Sequence, residues 1–560
     1  MKKPIRTCLL FLFAAFIPAI LGAQGGSVSV EVDLSRSRGE MKPIWAWFGY
    51  DEPNYTYMKD GAKLLTELSD LSYVPVHVRT HNLLTSGDGT AALKWGSTNA
   101  YTEDANGNPV YDWTIIDRIF DTYLERGMKP LVEIGFMPEA LTTGPEPYRH
   151  NWRPSGGALY TGWTAPPKDY DKWSELIYRW ALHLKERYGE AEVLTWYWEV
   201  WNEPDIGYWS GSFEEYCKLY DYAAHGLKRA LPDAKIGGPH TTDPTGANAA
   251  EYLRKFIEHC LRGTNYATGQ KGSPLDYVGF HAKGSPSVVD GHVRMNLGRQ
   301  LRNIQTGAEI VASFPELKGI PIIIGESDPE GCAACSIDHH PQNAYRNGTM
   351  FSSYTAAAFA KKYEIAARTG ANLLGAVSWA FEFEDQPWFA GFRDLATNGV
   401  DKPVLNVFRM YGMMKGDLVE ATSSQGLTAA ETVANSVRGQ ADVGVLASRD
   451  GNSAAVMVWN YHDDDVEADP AQVMLLVDKL GAGRVFVSHY RIDRDHSNSY
   501  ELWKSMGHPQ HPTAEQYASL EQKGQLELLQ PGYWADTENG ALSMDFTLPR
   551  QGVSLIKISW

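Results

Sequence analysis

The sequence predicts a (β/α)8 barrel followed by an antiparallel β-sandwich, an α/β architecture. Three observations carry that expectation. Between residues 44 and 415, eight short apolar runs alternate strictly with segments of helical spacing. Such alternation argues for a parallel sheet with crossover helices, and eight repeats is the count that closes a barrel. Beyond about residue 416 the helical spacing fades and strand-like runs take over. The chain of 560 residues also exceeds the roughly 250 that a single barrel needs, which leaves room for a second domain.

The expected barrel strands are 44–49, 74–79, 131–136, 195–201, 235–238, 277–281, 321–325 and 376–379, each rich in Val, Ile or aromatic residues and followed by polar, Gly or Pro residues. The expected helices are 59–71, 115–126, 170–188, 213–230, 249–261, 297–314, 354–368 and 401–414. In 170–188, Trp173, Leu176, Ile177, Trp180, Ala181 and Leu184 form one stripe of 3.6-residue period. The later runs 443–447, 454–460, 474–477, 485–489 and 553–558 read as strands, and Asp450-Gly451 between the first two is a hairpin signal. Residues 28–34 alternate apolar and polar side chains ahead of the barrel. The expected organisation is therefore a signal peptide at 1–23, a strand within 24–43 joining the sandwich, a catalytic barrel at 44–415 and the sandwich at 416–560.

Composition bounds the function. Hydrophobic residues at 43% and charged residues at 21% are globular proportions and exclude a disordered chain. A net charge of −17 repels a polyanion, so nucleic acid is not an expected partner. Lys2, Lys3 and Arg6 precede an apolar stretch at 8–21 and the small residues Gly22 and Ala23, the pattern of a cleaved export signal. That stretch is short for a bilayer span, and no later segment is apolar enough, so the mature chain is expected to be exported, periplasmic or secreted, without a membrane span. Cys217, Cys260, Cys332 and Cys335 are too few to frame a protein this large. The Cys332–Cys335 pair reads as a local disulfide or plain thiols; a zinc site lacks the second pair it would need. Neither a metal nor a cofactor is expected.

Barrel enzymes place chemistry at the C-terminal ends of the strands. The fourth strand ends in Trp201-Asn202-Glu203-Pro204-Asp205 and the seventh in Gly325-Glu326-Ser327-Asp328. Two carboxylates thus emerge at the mouth from opposite sides of the ring. Glycoside cleavage needs such a pair, one to protonate the leaving oxygen and one to attack the anomeric carbon or activate water. The proton donor is expected to have a raised pKa. His281, at a neighbouring strand end, is placed to hydrogen-bond one of the carboxylates. Other candidates at the mouth are His81, Phe136, Lys283 and Trp379. Phe136 and Trp379 read either as barrel packing or as platforms for a sugar ring. Asp328 reads as a sugar contact or as a loop anchor. Arg393, in the loop after the eighth strand, reads as a second cation for a substrate carboxylate or as a clasp on another loop. Glu199, inside the fourth strand, reads as a structural ion pair, and the run 463–465 as a solvated acidic turn.

These residues resemble the retaining barrel glycosidases, and further motifs narrow the resemblance to glycoside hydrolase family 39, the β-xylosidase and α-L-iduronidase family. The motifs are Val78-Arg79-Thr80-His81, Gly135-Phe136-Met137-Pro138-Glu139, Trp201-Asn202-Glu203-Pro204-Asp205, Gly237-Gly238-Pro239 and Phe280-His281, with His489-Tyr490-Arg491-Ile492-Asp493 near the end. The resemblance implies Glu203 as acid/base, Glu326 as nucleophile and Asn202 as a contact to the hydroxyl next to the anomeric carbon. Lys283-Gly284 is similar to the iduronidase branch, where a lysine faces the uronate carboxylate. The wording around Glu326 resembles a bacterial branch assigned as β-xylosidases. The expectation is a retaining exo-β-xylosidase acting on xylo-oligosaccharides. The alternatives are an exo-glycosidase for a uronic acid or an arabinose-containing glycan, and a non-catalytic carbohydrate-binding protein, whose mark would be a missing catalytic carboxylate.

Overall fold

The computed structural model describes residues 27–150, 159–160, 162–379 and 381–560; the expected signal peptide at 1–23 lies outside them. The chain opens with strand β1 (Val28–Glu40). The barrel strands follow: β2 (Trp47–Tyr50), β3 (His77–Thr80), β4 (Lys129–Ile134), β5 (Tyr197–Val200), β6 (Lys235–Thr241), β7 (Tyr277–His281) and β8 (Pro321–Glu326). The eighth barrel strand is interrupted at Val377, giving β9 (Asn372–Ala376) and β10 (Ser378–Trp379). Neighbours pair in parallel in chain order, and β10 pairs with β2, Ser378 opposite Phe48 and Trp379 opposite Gly49, which closes the cylinder.

Strand geometry explains why this segment closes. Successive side chains alternate between the barrel interior and the helical layer. On β5, Trp198 packs edge-on against Trp180 of helix α3 (Tyr170–Tyr188), whereas Glu199 points inward to Arg79. On β2, Phe48 meets Phe408 of the barrel's last helix, and Trp47 turns inward to stack on His77. Such large rings fit inside because glycines face them. A Cβ at Gly49 would overlap the Trp379 ring, and one at Gly325 would overlap the His240 ring. The helices begin where their caps lie: Asp169 accepts the Lys172 N–H at the start of α3, and Ser212 with Glu215 forms a capping box at the start of α4 (Phe213–Ala230).

The remaining barrel helices are α1 (Lys59–Asp70), α2 (Thr114–Leu124), α5 (Ala247–Arg262), α6 (Leu297–Ala312), α7 (Thr349–Thr369) and α8 (Pro403–Met413). All eight expected helices and strands therefore exist, with ends shifted by a few residues.

The second domain is one nine-stranded sheet. Strands β11 (Asp417–Ser423), β12 (Asp442–Asp450), β13 (Ser453–Tyr461), β14 (Ala471–Asp478), β15 (Arg484–Ile492), β16 (Glu527–Asp536), β17 (Leu542–Leu548) and β18 (Val553–Ser559) join β1 in the order β16-β15-β18-β13-β12-β11-β1-β14-β17. Residues near both ends of that order, such as Val485 and Leu542, share one apolar core, so the sheet folds over itself in the manner of a sandwich. It is mixed rather than purely antiparallel, because β1 runs parallel to β14. Its other face packs on the barrel through Ala455, Met457, Trp459 and Tyr461.

Three expectations need correction. Helices persist beyond residue 416: Ala429–Asn435 and Ser499–Ser505 are too short for a periodic stripe to show, and Ala514–Gly524 buries only Leu520 and Gly524, so it carries no stripe. Strands β11, β16 and β17 went unseen; β16 is an edge strand containing Pro531 and Gly532, which mask a strand signal. Of the 463–465 run only Asp465 is exposed: the fully buried Asp463 accepts the Met295 N–H through its carbonyl at 2.7 Å and Asp464 takes the Arg294 guanidinium at 2.5 Å, so these two tie the sheet to the barrel.

Candidate active site

The mouth of the barrel gathers charged residues that are distant in sequence. Glu326 is the last residue of β8 and stands opposite His281, the last of β7. Glu203 lies just past β5, where the backbone turns through positive φ at Trp201 (74°) and at Glu203 itself (45°). Such conformations are costly for non-glycine residues and persist where neighbours enforce them. Here the Trp201 indole N–H donates to the Tyr208 carbonyl at 2.7 Å and the Glu203 N–H to the His240 carbonyl at 3.1 Å. The turn aims Glu203 across the mouth. One oxygen of Glu203, one of Glu326 and a ring nitrogen of His281 lie within 4.8 Å of one another.

His281 Nδ1 is 2.8 Å from Glu203 Oε1, as the strand order suggested, and 3.7 Å from Glu326 Oε1. The Lys283 ammonium contacts Glu326 Oε2 directly and lies 3.5 Å from Glu203 Oε1. The three clustered groups have the donor types of a cation site, and Lys283 supplies the cation. Arg79 sits beneath, fully buried. Its guanidinium donates to Glu199 at 2.6 Å, Glu133 at 3.2 Å, Glu326 at 3.3 Å and the Asn202 carboxamide oxygen at 3.0 Å. His81 reaches Asp51 through Nδ1 at 2.7 Å and Glu133 through Nε2 at 3.1 Å. Asp51 also holds the Lys94 ammonium. Trp379 lies under this group, its ring 4.9 Å from the Arg79 guanidinium and 4.5 Å from His81. Phe136 stands edge-on to Trp201 at 5.2 Å and parallel to Tyr208 at 5.7 Å. Both rings are nearly inaccessible, at 1% exposure, and are packed as walls of the mouth.

The electrostatics differ from expectation at one carboxylate. Burial alone would raise both pKa values. At Glu326 the Lys283 ammonium, His281 and Arg79 overcome burial and hold the carboxyl well below its usual range. At Glu203 burial is likewise overcome, by Lys283 and the His281 hydrogen bond, and the pKa falls to about 2. The proton donor was expected to have a raised pKa. Here it is lowered, by the Lys283 ammonium that serves both carboxylates and by the His281 hydrogen bond.

Asp328 and Arg393 are also placed differently from a substrate contact. Asp328 accepts the Trp379 backbone N–H at 3.0 Å through one oxygen and the Arg393 guanidinium through the other. Arg393 is fully buried and also donates to the Glu330 carbonyl. The pair clasps the loop that follows β8, and neither group has an open face toward the mouth. Cys332 and Cys335 in that loop are disulfide-bonded, while Cys217 and Cys260 are buried thiols. Glu199 makes the ion pair expected of it, to Arg79, with His240 Nε2 at 2.7 Å on its other oxygen.

Sequence reasoning missed Arg79, Asp51, Glu133, His240 and Lys94. Arg79 and Glu133 carry a signal, a charged side chain at an inward position of an apolar barrel strand. Asp51 directly follows β2, which runs one residue beyond the expected strand 44–49 and so shifts the strand end onto it. Lys94 sits in a long loop with no local signal at all.

A closed parallel barrel with two acidic side chains meeting over its C-terminal mouth defines a class, the barrel O-glycoside hydrolases. The sequence profile of the glycosyl hydrolases family 39 matches residues 28–527, and the chain belongs to that family. A β-xylosidase of Geobacillus stearothermophilus is 25% identical over 516 residues, covering 89% of this chain and 88% of its own. An α-L-iduronidase of Mus musculus is 24% identical over 548 residues, covering 91% of this chain and 78% of its own. Among solved structures, a bacterial orthologue of human α-L-iduronidase superimposes with a TM-score of 0.75 at 20% identity, over 95% of this chain and 84% of that one. No helix among the described residues is long and apolar enough to cross a membrane.

Proposed function

We propose that this chain is a retaining, exo-acting β-xylosidase that releases xylose from the non-reducing ends of xylo-oligosaccharides. The observation that carries the reaction class is the approach of Glu203 and Glu326 to within 4.8 Å. Carboxyls about 5–5.5 Å apart leave no room for a water between one of them and the sugar, which favours direct attack and a covalent intermediate. Glu326, kept ionised by Lys283 and Arg79, attacks the anomeric carbon. Glu203 takes up a proton once bound substrate draws Lys283 away and its pKa rises, gives that proton to the departing oxygen and then takes one from the water that releases the sugar. Asn202, held by its oxygen on Arg79, keeps its NH2 for a sugar hydroxyl.

The xylose reading rests on the relatives and on how the cations are used. A second reading, cleavage of a uronic acid, is motivated by Lys283 together with the iduronidase relatives. Of the two cations that recommended it, Arg393 is committed to Asp328, and Lys283 already lies against both carboxylates. A nitrophenyl panel separates the readings. The β-D-xyloside should turn over fastest; faster cleavage of an α-L-iduronide or an α-L-arabinoside would replace the xylose assignment.

The roles are tested by substitution. Glu326→Ala should lose at least about 10⁴-fold in kcat, and azide should restore turnover as a glycosyl azide of inverted configuration. Full activity without azide rejects Glu326 as nucleophile. Glu203→Ala should slow alkyl xylosides far more than activated aryl ones; equal losses on both reject its acid role.

A further inference from the structure

We propose that a small cavity behind the β8 strand end binds a single halide ion and thereby positions Glu326. The cavity measures about 20 Å³ and is lined by Ser327, Asp328, Lys362, Ser378 and Trp379, with apolar side chains such as Phe359 closing it. Lys362 projects into it from helix α7 and is 1% exposed. Among the described residues its ammonium makes neither a hydrogen bond nor an ion pair; its contact is the Phe359 ring, 3.8 Å away. A buried ammonium without a counter-ion is strongly disfavoured, and burial accordingly drops the Lys362 pKa to about 7, with Asp328 the one charge opposing the drop. Asp328 is no partner, since its two oxygens are taken by the Trp379 N–H and by Arg393.

Two more groups of the lining lack partners. The Ser327 hydroxyl and the Trp379 indole N–H are buried with nothing to bond to. The Lys362 ammonium offers three donors and accepts none, so the cavity needs an acceptor. A water would accept about two of them and add two donors of its own. A halide accepts all and supplies the missing negative charge. The volume holds one particle of water size and excludes acetate, sulfate or phosphate. Occupancy would be felt at the catalytic end of β8. Ser327 directly follows Glu326, and the Trp379 ring supports Arg79 and His81, of which Arg79 donates to Glu326.

The test uses the purified full chain at matched ionic strength in sodium chloride, sodium bromide and sodium gluconate. Melting temperature should be higher by about 2 °C in the halides, saturably, and Lys362→Met should abolish the difference. Crystals soaked in bromide should show an anomalous peak in this cavity. Identical melting in all three salts, or an ordered water in place of bromide, overturns the proposal. Should the variant fail to fold, the salt comparison and the bromide peak on the unaltered protein still decide. Neither readout uses turnover, so failure here is distinguishable from failure of the glycosidase assignment.

Discussion

Lys283 is the residue on which the charge state of the site turns. Its ammonium is placed against both carboxylates, and the combined attraction raises its own pKa although burial opposes that. The same contacts lower Glu203 to about 2 and hold Glu326 well below the usual carboxylate range. A general acid must be protonated in the free enzyme to contribute to kcat/KM, so its pKa sets the basic limb of the pH profile, and the nucleophile sets the acidic limb. Because the carboxylates are coupled, the two limbs belong to the pair. Removing the cation in Lys283→Met should therefore move both limbs of kcat/KM to higher pH, by about 1–3 units. An unchanged profile would mean that Lys283 leaves the carboxylates before substrate binds. Glu203 and Glu326 were legible in the sequence because each ends an apolar strand with a motif. Lys283 was legible as a cation, but its partners were not, since they come from β5 and β8, far from it in the chain.

At the scale of elements, barrel strands and helices were legible because their periods, 2 and 3.6, are local properties. The loops that complete the site were not. The segment after β8 is held by Arg393 on Asp328 and by Arg346, which donates to Glu330 at 2.7 Å. Removing one member of a buried pair leaves the other charge uncompensated, at a cost of about 3–5 kcal/mol. Arg393→Met should therefore lower the urea midpoint markedly and raise KM, because the loop it clasps runs past Lys283 at Gly331. Wild-type stability and KM in that variant would show that Arg393 is not the clasp. Strand β16 was invisible for a related reason: its Pro531, Gly532 and alternating exposed residues leave only tertiary pairing with β15 to make it a strand.

For the whole molecule, the first strand matters beyond its length. β1 is not an edge: it lies between β11 and β14, antiparallel to one and parallel to the other. Val28, Val30 and Val32 are buried in the core of the folded sheet. Without β1 the sheet is divided into two parts with unpaired inner edges, an arrangement prone to aggregation. A chain beginning at residue 41 should accumulate as insoluble protein, whereas one beginning at residue 27 should be soluble and active; a soluble, active 41–560 fragment would show that the sheet closes without β1. The sheet also seals one flank of the barrel through Met457 and Trp459, so the two domains should melt together.

By itself the sequence determined the architecture of the barrel, the strand ends on which the two carboxylates ride, and the family motifs around them. Those features depend on periodicity and short-range spacing, which each segment carries alone. Only the tertiary structure decided which charges meet. It put Lys283 against the two carboxylates, withdrew Asp328 and Arg393 into a clasp, brought Arg79 under Glu326 and set β1, expected to join the C-terminal sheet, between β11 and β14. Electrostatic energy depends on separation in space and on burial, and neither quantity is encoded in any one stretch of residues.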